Sequence, residues 1–344
     1  MKAAVLTGIK EMGIIDMPVP KIKNDFDVLI KIKMVGICGS DIHYYETGRI
    51  GSQIVKYPYL VGHECAGVVE AVGKGVKNLK PGDRIAVDPA VNCHSCDQCK
   101  SGRGNTCRSL SFLGTPGQGD GCLCEYIVMP QASCFLLPDN MSFEQGVLCE
   151  PFAISYYTVQ QSLLKHSQSV LILGSGPIGL GCLAAAKAEG AGKIYATEKI
   201  AERMQAAKKA GAVWAGNPDA EDIVEIIRAK EPLGIDIAYE CAGQQDTIDQ
   251  AVELLKPGGK LILVGIPREN RITFEIDKLR RKEITVINIR RQNECTDKAI
   301  DSISSGKVNL DFMITHKFEL ARAKDGFELV ANYNDGVIKA FIEI

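Results

Sequence analysis

The sequence lacks an excess of charge of either sign. Its 40 Lys and Arg stand against 42 Asp and Glu, for a net charge of −2 at pH 7 and an isoelectric point near 6.3. That leaves no electrostatic footprint for nucleic acid or an anionic membrane, and neither is expected as a partner. A long hydrophobic run is missing too. The most apolar stretch, VLILGSGPIGLGCLAAA (170–186), is broken by glycines and Pro177 and ends at Lys187, too short and interrupted to cross a bilayer. The opening residues, MKAAVLTGIKEMGI, alternate like a strand and hold no apolar signal core, so secretion is not expected. No internal repeat or low-complexity tract is present.

What is present is a 344-residue chain, 46% hydrophobic and 24% charged, with 34 glycines. Length and composition together describe an α/β protein of two domains, rich in tight turns. Thirteen cysteines in an unsecreted chain are better explained by metal ligation and buried thiols than by disulfides. The expected location is the reducing cytoplasm.

Residues 1–90 read as short strands separated by turn signals: KAAVLT, DVLIKIKMVGI, CAGVVEAVG and DRIAVD, the pattern of a small antiparallel barrel. A cysteine- and glycine-rich lobe spans 91–121, followed by the strand-like EYIVM and CFLLP. SFEQGVLCEPFAISYYTVQQS has helical spacing, and Ser142 with Gln145 fits a capping box. From 168 the pattern becomes strand–helix–strand: SVLIL, PIGLGCLAAAKAEG, KIYAT, AERMQAAKKAG, then IDIAYE, TIDQAVELL, KLILVG and ITVINI. Such alternation predicts a doubly wound parallel sheet. After CTDKAIDSISSG the strand-like HKFEL and IKAFIEI resemble the N-terminal part, so the C-terminus is expected to return to the first domain.

Three stretches carry chemistry. The first, GICGSDIHYYETGRIGSQIVKYPYLVGHE (36–64), offers the Cys38 thiol, the Ser40 hydroxyl, the His43 imidazole and the adjacent His63 and Glu64. Thiolate, imidazole and carboxylate are zinc ligands that can leave one position open, as a catalytic ion requires; buried packing is the alternative. The second is C-x2-C-x2-C-x7-C at Cys93, Cys96, Cys99 and Cys107. Four thiolates so close can enclose a structural zinc, with iron–sulfur ligation as competitor.

The third is Gly174-Ser-Gly176-Pro-Ile-Gly179, which follows one strand and opens a helix. Its glycines permit the tight turn, the approach of a pyrophosphate and close helix–strand packing, and the helix N-terminus supplies amide donors. Glu198 lies 198 − 179 = 19 residues further on. A carboxylate there accepts the adenosine ribose hydroxyls and repels a 2′-phosphate, favouring NAD over NADP. Lys199 and Arg203 read equally as solvated helix charges or cofactor contacts.

On these stretches, together with KPGDRIAV and LPDNMSFEQGVLCEP, the chain resembles a zinc-containing medium-chain dehydrogenase/reductase, and within that family the sorbitol (polyol) dehydrogenases. The resemblance implies a GroES-like antiparallel β-barrel catalytic domain over 1–152 with its zinc lobe at 91–121. It further implies a Rossmann NAD-binding domain over 153–292, a return to the catalytic domain over 293–344, and a homotetramer. It implies two zinc ions per chain: a structural one on the four lobe cysteines, and a catalytic one on Cys38, His63 and Glu64, with Glu150 a further ligand or the holder of its water. Ser40 and His43 would relay the alcohol proton, and Glu64 counts with them as catalytic. Tyr44, Glu150 and Arg290 would line a polyol pocket. Cofactor contacts would come from Gly174, Gly176, Pro177, Ile178, Gly179, Glu198, Arg203, Val264, Gly265 and Ile266.

The chain departs from the alcohol dehydrogenase pattern by placing Glu150 where a second cysteine ligand is expected, and from the polyol enzymes by placing Arg291 after Arg290. The implied reaction is reversible oxidation of a secondary alcohol of a polyol to a ketose. Threonine, butanediol or sugar-alcohol-phosphate dehydrogenases, and a nucleotide-binding sensor without turnover, are the alternatives. Cys65, Cys122, Cys124, Cys134, Cys182, Cys241 and Cys295 are expected to be buried packing groups.

Overall fold

A computed structural model describes residues 1–267, 269 and 271–344. It divides into two compact units. One comprises Met1–Pro151, Thr296–Gly306 and Ile314–Ile344; the other comprises Phe152–Cys295 and Lys307–Met313.

The first unit is built on a seven-stranded sheet. Cys134–Leu136, Arg84–Val87, Glu64–Val72, Asp27–Gly36, Lys339–Glu343 and Ile314–Glu319 lie side by side in that order, and Tyr126–Pro130 also pairs with Asp27–Gly36. Glu11–Asp16, Lys2–Gly8 and Tyr59–Leu60 form a second, three-stranded sheet. Val28, Ile30 and Ile32 at alternate positions of Asp27–Gly36, with Val35 beyond a register shift, close the core with Tyr45 and Phe327. Pairing is antiparallel throughout except between Ile314–Glu319 and Lys339–Glu343. These run parallel because the helix Ala323–Ala331 carries the chain back between them, as a parallel connection needs. The antiparallel barrel expected from the sequence thus carries one parallel pair, formed by its last two strands.

The second unit is a six-stranded parallel sheet in the order Trp214–Gly216, Ile194–Thr197, Val170–Leu173, Ile235–Glu240, Leu255–Leu263, Thr285–Asn288. Numbered along the chain this is 3-2-1-4-5-6, the Rossmann order. Val170 to Leu173 are completely buried, as strands covered on both faces must be. Ser142 and Gln145 exchange the two hydrogen bonds of a capping box ahead of the helix Phe143–Ser162. Among the described residues no helix is long and apolar enough to cross a membrane.

Candidate active site

Strand pairing brings the first ligand set together. Asp27–Gly36 runs antiparallel to Glu64–Val72 with Gly36 opposite Glu64. The chain leaves Gly36 and enters the helix Gly39–Thr47 with Cys38 as its N-cap. Asp41, three residues on, reaches back to accept the Cys38 N–H at 3.0 Å, which fixes the turn. The other oxygen of the same carboxylate lies 3.3 Å from His63 Nδ1. A carboxylate behind Nδ1 fixes the ring's orientation and tautomer and leaves Nε2 for a metal. One ligand atom from each of Cys38, His63 and Glu64 then falls within 4.8 Å of the others.

The electrostatics suit a cation. Cys38, Asp41, Glu64 and Glu150 are four potential anions. His63, Glu64, Asp41 and Glu150 are all buried. Lys339, from the strand Lys339–Glu343, pairs with Glu64, and both side chains are almost fully enclosed. Burial disfavours a protonated His63, yet Asp41 and Cys38 outweigh it and hold the imidazole's pKa well above its ordinary value. Lys339 likewise stays raised against the effect of burial, through Glu64 and Cys38. Burial pushes Glu150 up to about 7, with Glu64 and Asp88 adding to the rise and His63 and Lys339 opposing it. One Glu150 oxygen is buried with no hydrogen-bond partner, a cost that binding an ion or a hydroxyl would remove. The residues present therefore fit a divalent metal.

Glu150 stands outside the three-residue group and does not converge with it to the same distance. Ser40 and His43 are half-buried on the site helix. Tyr44 is buried, donates to Gln53 at 3.1 Å and meets Tyr59 edge to face. Arg290 belongs to the second unit, exposed beyond the strand Thr285–Asn288.

In the lobe the four thiols draw in on one another. Sulfur–sulfur distances are 3.4 Å for Cys93–Cys107, 3.6 Å for Cys96–Cys99, 3.9 Å for Cys96–Cys107 and 4.0 Å for Cys93–Cys99. A tetrahedron with zinc–sulfur bonds of about 2.3 Å has edges of about 3.8 Å. An iron–sulfur cluster, placed between its cysteines, would spread them further apart. Hydrogen bonding from Ser95 lowers Cys93 to about 5, whereas desolvation and neighbouring thiols push Cys99 up to about 12. Of the other cysteines, Cys241 is only partly buried; Cys65, Cys122, Cys124, Cys134, Cys149, Cys182 and Cys295 are enclosed.

In the second unit Gly174 has φ +90°, a conformation other residues rarely adopt. A side chain on Gly176 would face open space with only Arg203 at 3.7 Å, and one on Gly179 would overlap the Gly174 carbonyl. Pro177 and Ile178 open the helix Pro177–Ala188. Glu198 accepts the N–H groups of Ser175, Lys199 and Ile200, so its carboxylate stands fixed beside the glycine turn. Arg203 is buried next to that turn. Val264, Gly265 and the exposed Ile266 follow the fifth strand. This open cradle at a helix N-terminus fits a dinucleotide pyrophosphate.

Two family models match the chain, the alcohol dehydrogenase GroES-like domain over residues 24–139 and the zinc-binding dehydrogenase over 177–305. A sorbitol dehydrogenase of Bacillus subtilis (strain 168) is 40% identical over 99% of this chain and 97% of its own. The chain belongs to the zinc-containing medium-chain alcohol dehydrogenases. As a member of that family it is an enzyme, a zinc-dependent oxidoreductase with zinc and NAD as cofactors. A probable D-xylulose reductase A of Aspergillus fumigatus (strain CBS 144.89 / FGSC A1163 / CEA10) is 37% identical over 95% of this chain and 92% of its own. An Escherichia coli oxidoreductase/dehydrogenase of unknown specificity superposes with a TM-score of 0.94 at 34% identity, over 100% and 99% of the two chains. Membership in an enzyme family sets aside the sensor without turnover.

Three residues of the dehydrogenase site were missed from sequence. Asp41 carried a signal, since an acid three residues beyond the N-cap is a capping pattern. Lys339 showed as one charge inside the apolar run IKAFIEI. Gly36 had no signal of its own, because its meaning depends on the residue opposite it.

Proposed function

We propose that this dehydrogenase catalyses reversible, NAD-linked oxidation of a secondary alcohol of a polyol, of the sorbitol or xylitol type, to a ketose. The observation that carries the reading is the buried convergence of Cys38, His63 and Glu64, near Glu150 with its one unpartnered carboxylate oxygen. The likeness to a sorbitol dehydrogenase and a D-xylulose reductase supports the substrate class.

Cys38, His63 and Glu64 would hold the catalytic ion, and Cys93, Cys96, Cys99 and Cys107 a structural one. Zinc in the first site supplies Lewis acidity that makes an alcohol oxygen easier to deprotonate near neutral pH. Asp41 keeps the His63 ring in one orientation. Lys339 holds Glu64 and offsets part of the local negative charge. Ser40 accepts the alcohol proton and His43 passes it to solvent. The buried Glu150 accepts a hydrogen bond from a substrate hydroxyl, and Tyr44 packs the wall behind it, with Arg290 as a further polyol contact. Gly174, Gly176, Pro177, Ile178, Gly179, Glu198, Arg203, Val264, Gly265 and Ile266 would hold NAD, which would supply the hydride acceptor. Thirteen free thiols suit a cytoplasmic protein, and a homotetramer completes the reading.

NADH formation on sorbitol, xylitol, 2,3-butanediol, threonine and a sugar-alcohol phosphate tests it. Highest kcat/KM on a free polyol, abolished by a chelator and restored by Zn²⁺, is expected. Preference for threonine, butanediol or the phosphate would overturn the substrate class.

A further inference from the structure

Glu240 has no part in the chemistry proposed above, yet it is 1% exposed at the carboxyl end of the fourth strand of the second unit. Its neighbours in register are Leu173 of the first strand and Leu263 of the fifth. The first and fourth strands flank the point in the 3-2-1-4-5-6 order where the strand order reverses, and ligands of such sheets bind outside the strand ends there. A buried acid at that place needs donors, and it has three on one oxygen. Oε1 accepts the Ala242 N–H at 2.9 Å, the Gly243 N–H at 2.7 Å and the Thr247 hydroxyl at 2.8 Å. The Glu240 carbonyl accepts the Val264 and Gly265 N–H groups, both at 2.9 Å.

Those bonds hold two turns, and the glycine turn packs against one of them. A side chain added at Gly174 would come within 2.9 Å of Ala242 Cβ, and one at Gly243 (φ +67°) within 2.6 Å of the Ile266 carbonyl. One added at Gly265 would run into the Gly243 N–H and come within 3.0 Å of Glu240 Oε2. The glycine turn, residues 241–244 and residues 264–266 are thus packed backbone to backbone, with the Glu240 carboxylate bonded to the second and its main-chain carbonyl to the third. Burial raises the Glu240 pKa while Thr247 and the backbone donors counter it, and the net direction is upward. A carbonyl oxygen of the protonated acid, or of glutamine, still accepts at Oε1.

We propose that the Glu240 side chain is a positioning residue for the cofactor, fixing the 241–244 turn against residues 264–266 at the spacing that receives the nicotinamide half of NAD. The assignment of halves follows from the sheet. The pyrophosphate lies at the glycine turn and the adenosine beside Glu198, which leaves the second mononucleotide half of the fold for the nicotinamide. The inference rests on the reading of Gly174 and Val264–Ile266 as cofactor contacts.

The test uses zinc-loaded enzyme and measures binding of NADH and of AMP, which carries only the adenosine half, alongside KM for NAD, kcat, zinc content and melting temperature. Glu240→Ala should weaken NADH and raise KM for NAD by about tenfold, in line with losing two or more hydrogen bonds. AMP affinity, zinc content and kcat at saturating NAD should stay within about threefold. Glu240→Gln, which keeps an acceptor, should restore NADH affinity to within about threefold. Equal weakening of AMP and NADH, or a fall in melting temperature with NADH affinity intact, would overturn the proposal. If Glu240→Ala does not fold, Thr247→Val decides: it should weaken NADH about fivefold and spare AMP, and an NADH affinity within about threefold of wild type would count against Glu240. Wild-type protein that binds neither ligand would refute the cofactor reading itself, a separate outcome.

Discussion

Gly36 is the smallest residue of the metal site and the one with least room to change. A methyl group there would overlap the Glu64 carboxylate and sit 2.8 Å from Val147 Cγ1 and 3.1 Å from Lys339 Cε. Glu64 is then displaced from Lys339 inside a buried region. Breaking a buried ion pair is strongly destabilising, because one charge remains without compensation. Gly36→Ala is therefore expected to lower affinity for the catalytic zinc by about 10- to 100-fold, the range for disturbing groups that orient a ligand. The four lobe thiols lie apart from Gly36 in sequence and should keep their own ion. Metal analysis after dialysis against a weak chelator checks this, with about one zinc per chain expected. Retention of both ions would show that Glu64 does not need this room.

The lobe shows what one element contributes alone. Its helix Asp97–Lys100 has only four residues, too few for a stable helix without outside support. Cys96 caps that helix by accepting the Cys99 N–H, so the ligand set and the local fold are the same object. Cys96→Ser should remove the structural zinc and lower the melting temperature by several degrees, because metal binding supplies folding energy. Zinc at the Cys38 group should persist, and calorimetry with metal analysis separates the two effects. Elements of this kind were legible in the sequence. The C-x2-C-x2-C-x7-C spacing, the glycine turn and Ser142 with Gln145 each carry their meaning within a few residues. Less legible were the short strand Trp214–Gly216 and the helix Ala323–Ala331, the first of only three residues. What escaped was long-range: Gly36 with Glu64, Glu64 with Lys339, and Glu240 with turns on either side of it. Those meanings arise from strand register, which one sequence does not display.

Across the whole molecule, each unit is suited to its own cofactor. The first has two thiol-containing groups suited to zinc, the second a dinucleotide cradle on a parallel sheet. The central claim is that Cys38, His63 and Glu64 hold the ion on which alcohol oxidation depends. Its most direct test is zinc stoichiometry, NADH binding and turnover measured together on Cys38→Ser protein. About one zinc per chain, unchanged NADH binding and turnover reduced at least about 1,000-fold are predicted, as for loss of a group on which the transition state depends. Two zinc ions per chain with wild-type turnover would contradict the account.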